Sequence, residues 1–260
     1  MAAPVAPALR PHRPGPRAGA LLLRAELCSV ARDTAGLVLP LLMPTLILVM
    51  YGMQAADQPV DGTDLSYLEA FGVPMAIAMV LSLIGVVNMP SFLAAYRHAG
   101  VLRRLGVTPL RPSAVLVAQV VASAIQSVVG IALALGVAVW AFDVALPGSL
   151  WWALLVLLLG AAGLYGLGMI VAAVAPTPNA SVAIGMVTFF AIGAVGGMFG
   201  PVSTFPDTVA TIGGWLPFGA VTEALRAAWA GAVPEPRHLL ALAVVALAGL
   251  LVAVRTFRWS

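Results

Sequence analysis

The side chains able to do acid–base or nucleophilic chemistry are few and scattered. The 260 residues include three histidines (His12, His98 and His238), one cysteine (Cys28), ten acids and no lysine, so all thirteen basic residues are arginine. The histidines lack metal-ligand spacing, and no Ser/His/Asp set gathers at one depth, which leaves a bound metal or a triad without candidate residues. A Walker A loop needs a lysine to reach the β/γ-phosphates, and this chain has none to offer. One cysteine allows neither an internal disulfide nor a Cys-based zinc site. What remains is polar. Gln119, Ser123, Gln126 and Ser127 fall at i, i+4, i+7 and i+8, a stripe on one helical face. It reads either as the lining of a substrate path or as hydrogen bonding between helices, worth about 0.6 kcal/mol per contact on average; the second is preferred. Glu69 stands beside Tyr67 at the edge of an apolar run, where an ionisable group marks function unless it lies at the interface. Glu223 and Arg226, three apart, are placed to pair on one helix.

The elements that would position these residues are membrane spans. Hydrophobic residues make up 62% of the chain and charged residues only 9%, against about a quarter charged in a typical soluble domain. Such a chain cannot cover its own surface in water. A span needs about 20 mostly apolar residues, and candidates fall at 37–53, 68–90, 113–142, 150–175, 180–200 and 238–255, with 201–237 less regular. The third is long and is expected to tilt or project. Pro40, Pro44 and Pro74 lie in or near spans, where membrane helices tolerate them. The fold expected is all-α, with a disordered cytoplasmic tail at 1–17 and one transmembrane domain at 18–260. Between tail and first span, Leu23, Leu27 and Val30 share one helical face while Arg17, Arg24 and Arg32 share another, as in a helix lying at the membrane interface. The late, full-length first run reads as a signal anchor and not as a cleaved signal peptide.

Arginine placement sets the orientation. With both termini cytoplasmic, 11 of 13 arginines are inside, leaving Arg226 and Arg237 outside, while 8 of 10 acids fall outside; the arginine bias decides. The arginines alternate with apolar spans, so the basic balance points to lipid and not to nucleic acid. Six spans make 91–112 a cytoplasmic loop, reading Tyr96-Arg-His-Ala-Gly-Val-Leu-Arg-Arg-Leu-Gly-Val-Thr-Pro-Leu110. Leu102 and Leu105 flank Arg103 and Arg104 in a short amphipathic turn that Thr108-Pro109 ends. Charge alone does not say whether it merely sets topology or docks a partner.

Here the chain resembles the permease subunits of type-2 ABC exporters. The loop is similar to that family's Glu-Arg-Glu-x-Gly-Thr-Leu-x-x-Leu-x-x-Thr-Pro-Leu segment through Arg97, Gly100, Leu102, Leu105, Thr108, Pro109 and Leu110. Tyr96 and His98 replace the acids that flank the family's arginine. A second similarity runs from Gly196-Gly197-Met-Phe199-Gly-Pro201 through Phe205-Pro206 and Pro217-Phe218 to Leu225-Arg226. Gly196 stands where the family has serine. A third is the opening helix, with Arg24-Ala-Glu-Leu27 and Ala31-Arg-Asp33. The resemblance implies an ATPase-coupling helix at Arg97, Gly100, Leu102, Arg103, Arg104, Leu105, Thr108 and Pro109. It also implies re-entrant outer helices marked by Gly197, Phe199, Pro201, Phe205, Pro206, Pro217 and Arg226, with Gln119, Ser123 and Gln126 as candidates for a substrate path. No cofactor is expected in this chain, ATP and Mg²⁺ belonging to a cytoplasmic ATPase partner beside a second permease copy or paralogue. The expected activity is export of an amphiphilic drug-, antibiotic- or lipid-like molecule across the inner membrane. A secondary transporter and a membrane-embedded enzyme are the rivals. Both call for mid-span acids or histidines, which are missing. In the fifth span, Gly193-x-x-x-Gly197 and Gly196-x-x-x-Gly200 are expected to let helices approach closely.

Overall fold

A computed structural model describes residues 16–55, 58–60, 63, 65–100 and 112–256. Six of its helices are long and apolar enough to cross a membrane: Thr34–Ala55, Leu68–His98, Ala114–Phe142, Leu150–Val174, Pro178–Val195 and Pro236–Arg255. These are the first to sixth spans of an all-helical chain. Among the described residues the only β-type pairing is an isolated bridge between Pro59 and Ser66. The expected tail at 1–17 lies outside the described residues as far as position 15, and a helix already begins at Pro16 and runs to Arg32. Asp33 breaks that helix from the first span. Its side-chain Oδ1 accepts from the Gly36 N–H at 3.1 Å, while its carbonyl accepts the first helical bond, from Leu37 at 2.9 Å. Those are the two marks of an N-cap, and Asp is among the residues that make one best.

The second span is the hub. Its most apolar window is 89% buried, against 28% for the first, fifth and sixth spans. It contains two π-helical stretches, Leu68–Gly72 and Leu83–Asn88, and Pro74 and Pro90 each lie two residues beyond one of them. Proline has no N–H and its ring crowds the carbonyl one turn back. A locally widened π turn relieves that crowding without breaking the span. The less buried spans carry their apolar side chains outward, as Leu46 and Val187 do; in lipid that costs nothing.

The fourth and sixth spans pack along most of their length, backbone to backbone. A Cβ built on Gly249 would land on the Gly166 backbone, and one on Gly166 would stand 2.9 Å from the Val245 carbonyl. Small residues at such crossings are how membrane helices gain contact without a hydrophobic drive.

The fifth span ends at Val195, short of the expected 200, which corrects the reading of its glycines. Gly196 and Gly197 form the turn that stops the helix, with Gly197 at φ +92°. The Met198 N–H reaches back to the Gly193 carbonyl at 2.8 Å, the six-to-one bond of a Schellman cap. Gly197 and Gly200 therefore lie beyond the helix and present no packing face on it. At Gly196 the expected close approach is present: a Cβ built there would stand 2.7 Å from the backbone N of Gly219, in Pro217–Trp229. A one-turn 3₁₀ segment (Val202–Thr204) and two short helices, Asp207–Trp215 and Pro217–Trp229, then lead to the sixth span.

Candidate functional site

Three groups of residues stand out, one at each end of the bundle and one between. At the end where the second span stops, Gly100 takes φ +64° and its N–H bonds the Arg97 carbonyl at 3.1 Å. The Arg97 guanidinium turns back and donates to the carbonyl of Ala175, at the end of the fourth span. One residue earlier, the Tyr96 hydroxyl donates to Glu26 Oε2 at 2.6 Å. Glu26 belongs to the Pro16–Arg32 helix and is only 4% exposed. Burial pushes its carboxyl above the usual carboxylate range, the bond from Tyr96 working against that rise. The base of the loop is thus held by three elements: the opening helix through Tyr96, the second span itself, and the fourth span through Arg97. Leu102, Arg103, Arg104, Leu105, Thr108 and Pro109 lie outside the described residues.

Between the ends sits the polar stripe, and the reason for its inner contacts is a proline. The carbonyl of Gly36 would ordinarily accept from the N–H of residue 40, but Pro40 has no N–H. Gln126 Nε2 donates to that carbonyl at 2.7 Å and Asn88 Nδ2 at 2.9 Å, while Asn88 also donates to Gln126 Oε1 at 3.0 Å. The first three spans are joined at one otherwise unsatisfied backbone oxygen. Ser127 Oγ and the Tyr165 hydroxyl, 2.7 Å apart, tie the third span to the fourth. Gln119 and Ser123 are equally buried, and Gln119 Oε1 has no partner among the described residues. Asn88 was not singled out from the sequence. An amide inside an apolar run is a visible signal, but nothing in the sequence shows that it shares an acceptor with Gln126.

At the opposite end, each proline of the 196–226 segment opens or precedes a turn. Pro201 leads into Val202–Thr204, Pro206 caps Asp207–Trp215, and Pro217 opens Pro217–Trp229. Phe199 is exposed, Phe205 partly so. Arg226 holds Glu223 Oε2 through Nη2 at 2.7 Å and Nε at 3.1 Å. The loop between the third and fourth spans is stitched to this end. Its Ala145 N–H donates to Glu69 Oε1 at 2.8 Å, and the Trp229 indole donates to the Ala145 carbonyl at 3.0 Å. Glu69 Oε2 also accepts from the Ser66 N–H and hydroxyl. Its carboxylate thus organises the entry to the second span.

A six-span helical bundle, with a separate helix ahead of its first span and short helices between its last two, is a multi-pass membrane protein. Residues 18–229 match the ABC-2 type transporter family, and the chain belongs to that family: it is the membrane-spanning permease component of an ABC transporter. No curated protein matches it.

Proposed function

We propose that this chain forms the membrane path of an ATP-driven exporter of amphiphilic drug-, antibiotic- or lipid-like molecules. It would lie in the cytoplasmic membrane with both termini inside, paired with a second copy or a paralogue. ATP and Mg²⁺ are handled by separate cytoplasmic ATPase subunits, because a chain without lysine cannot build a phosphate-binding loop. The observation that carries the reading is the family match across residues 18–229. The arginine bias supports the sidedness, since it leaves the loop holding Arg103 and Arg104 on the cytoplasmic side. The anchoring of Tyr96 and Arg97 supports a mechanical role for that loop. A push on it would reach the opening helix through Glu26 and the fourth span through Ala175, biasing the bundle between inward- and outward-facing states that differ in these contacts. The buried stripe around Gln126 serves in this reading as bracing between helices, with Gln119 and Ser123 left as the candidates for the path.

The test is co-purification of the tagged chain with an ATPase subunit, followed by transport in vesicles. Stable recovery of the ATPase and ATP-dependent movement of an amphiphilic dye are expected. A chain that purifies alone, in vesicles where ATP changes nothing, would refute the export reading.

A further inference from the structure

At the end of the bundle away from Arg97, two connections between spans differ in kind. The one from the first span to the second carries Asp57, Asp61 and Asp64, as a loop in water would. The one from the third span to the fourth, 143–149, reads Asp-Val-Ala-Leu-Pro-Gly-Ser. Asp143, just past the end of the third span, takes φ +51°, and Val144 turns inward and is buried. The large apolar side chains around the turn point out of the molecule: Trp140 is 89% exposed, Leu146 72% and Trp151 71%. Trp140 lies in the last turn of the third span and Trp151 in the first turn of the fourth, so both stand near the level of the connection.

A loop in water need not satisfy its own backbone, because water does so. This one is satisfied by the protein. Proline 147 has no N–H, and four of the five N–H groups from Val144 to Ser149 are bonded internally. Val144 donates to the Ala138 carbonyl at 3.3 Å and Ala145 to Glu69 Oε1 at 2.8 Å. Gly148 donates to the Trp229 carbonyl at 3.2 Å and Ser149 to that of Ala228 at 3.0 Å. The Trp229 indole meets the Ala145 carbonyl. Irregular backbone is compatible with a membrane when its polar groups are matched in this way. The apolar surface is also continuous with the one that faces lipid: Leu150, Leu154 and Leu158 recur every four residues down the fourth span, and all are exposed.

We propose that the turn at 143–149, with Trp140, Leu146 and Trp151, is seated in the headgroup layer of the bilayer, its partner being phospholipid. Two features set that depth. Tryptophan favours the layer where hydrocarbon meets headgroups, and the exposed Asp143 carboxylate keeps the turn out of the hydrocarbon itself. The placement needs only the membrane class of the chain, so it stands whatever the bundle carries.

The experiment uses the full chain with Cys28→Ser and one new cysteine at a time, L146C, L154C or T63C, each at an exposed position. Each is labelled with an environment-sensitive fluorophore and placed in phosphatidylcholine nanodiscs. Nitroxides carried at different depths on the lipid, and iodide in the water, serve as quenchers. The hydrocarbon edge lies about 15 Å from the midplane and the headgroups reach about 20–22 Å, so the label at 146 should fall between those limits. The label at 154 should lie deeper, and that at 63 should lie beyond them and be the most open to iodide. Replacing Trp140 and Trp151 together by serine should move the 146 label outward and raise its iodide quenching. A 146 label as open to iodide as the one at 63, one shielded from both quenchers as under a second copy, or one that does not move when both tryptophans are lost overturns the proposal.

Discussion

Replacing Asn88 by Leu and Gln126 by Met, singly and together, isolates the carbonyl of Gly36. Both replacements keep roughly the shape of the side chain and remove its polar atoms. Each single variant loses two hydrogen bonds but leaves the Gly36 oxygen one donor, either Gln126 at 2.7 Å or Asn88 at 2.9 Å. At the average for hydrogen bonds between membrane helices, each should cost about 1 kcal/mol. The double variant leaves a partly buried carbonyl without a side-chain donor, and Pro40 cannot supply the helical N–H. That adds roughly 1–3 kcal/mol, the cost of an unmatched buried polar group, for a total of about 3–5 kcal/mol. The decisive arm is Pro40→Ala. It restores an N–H four residues on from Gly36, so in the P40A background the double variant should recover about 1–2 kcal/mol of its loss. The assay is denaturant-induced unfolding in mixed micelles, read by helical circular dichroism. A double-variant loss no larger than the two single losses together, or no recovery in P40A, would refute the idea that the proline creates the need for the network.

Two further outcomes follow from the packing and from the end of the bundle that holds Tyr96. Tyr96→Phe removes the hydrogen bond that favours charged Glu26, whose carboxyl burial has already pushed up. With the folded pKa above the ordinary value of about 4.3, the folded state holds the proton more readily, so stability from this group is fullest at low pH and falls as pH rises through the folded pKa. The wild-type advantage over Y96F should accordingly be about 1–2 kcal/mol at pH 8 and shrink at pH 4, in thermal unfolding in detergent; an equal gap at both values would sink the argument. Gly249→Ala places a methyl on the Gly166 backbone, whereas Gly136→Ala meets nothing within 4 Å. G249A should lose about 2 kcal/mol or more through overpacking, and G136A should stay within about 1 kcal/mol of the parent; comparable melting of the two would contradict the backbone contact.

How much was legible in the sequence differs from one feature to the next. The six spans were legible because a continuous apolar run of about 20 residues has few meanings in a chain with so few charges. Their ends were less so. The fifth span stops at Val195 because Gly197 takes a left-handed conformation and Met198 bonds back to Gly193, and a glycine-rich sequence reads equally well as a packing face. The stripe of Gln119, Ser123, Gln126 and Ser127 was visible as a stripe, since spacing within one helix is local. The segment proposed to couple to an ATPase rests on resemblance alone, and of its residues only Arg97 and Gly100 fall among those described. His238 gave no warning, because one histidine without a ligand-like neighbour in sequence looks inert until the fold buries it with neither ring nitrogen partnered among the described residues.

The sequence by itself determined the class of protein: its number of crossings and the lack of any phosphate-binding lysine. These follow from composition and from the order of apolar runs, properties that need no knowledge of which helices touch. Only the tertiary structure decided what the polar groups are for. Gln126 meets the Gly36 carbonyl, Tyr96 meets Glu26, and Arg97 meets Ala175 across separations of 90, 70 and 78 residues. Helical periodicity says which face a residue occupies, but its partner depends on which helix lies against that face. In a bundle where nearly every face is apolar, that choice is made by close glycine contacts and by the few polar groups that must find one another.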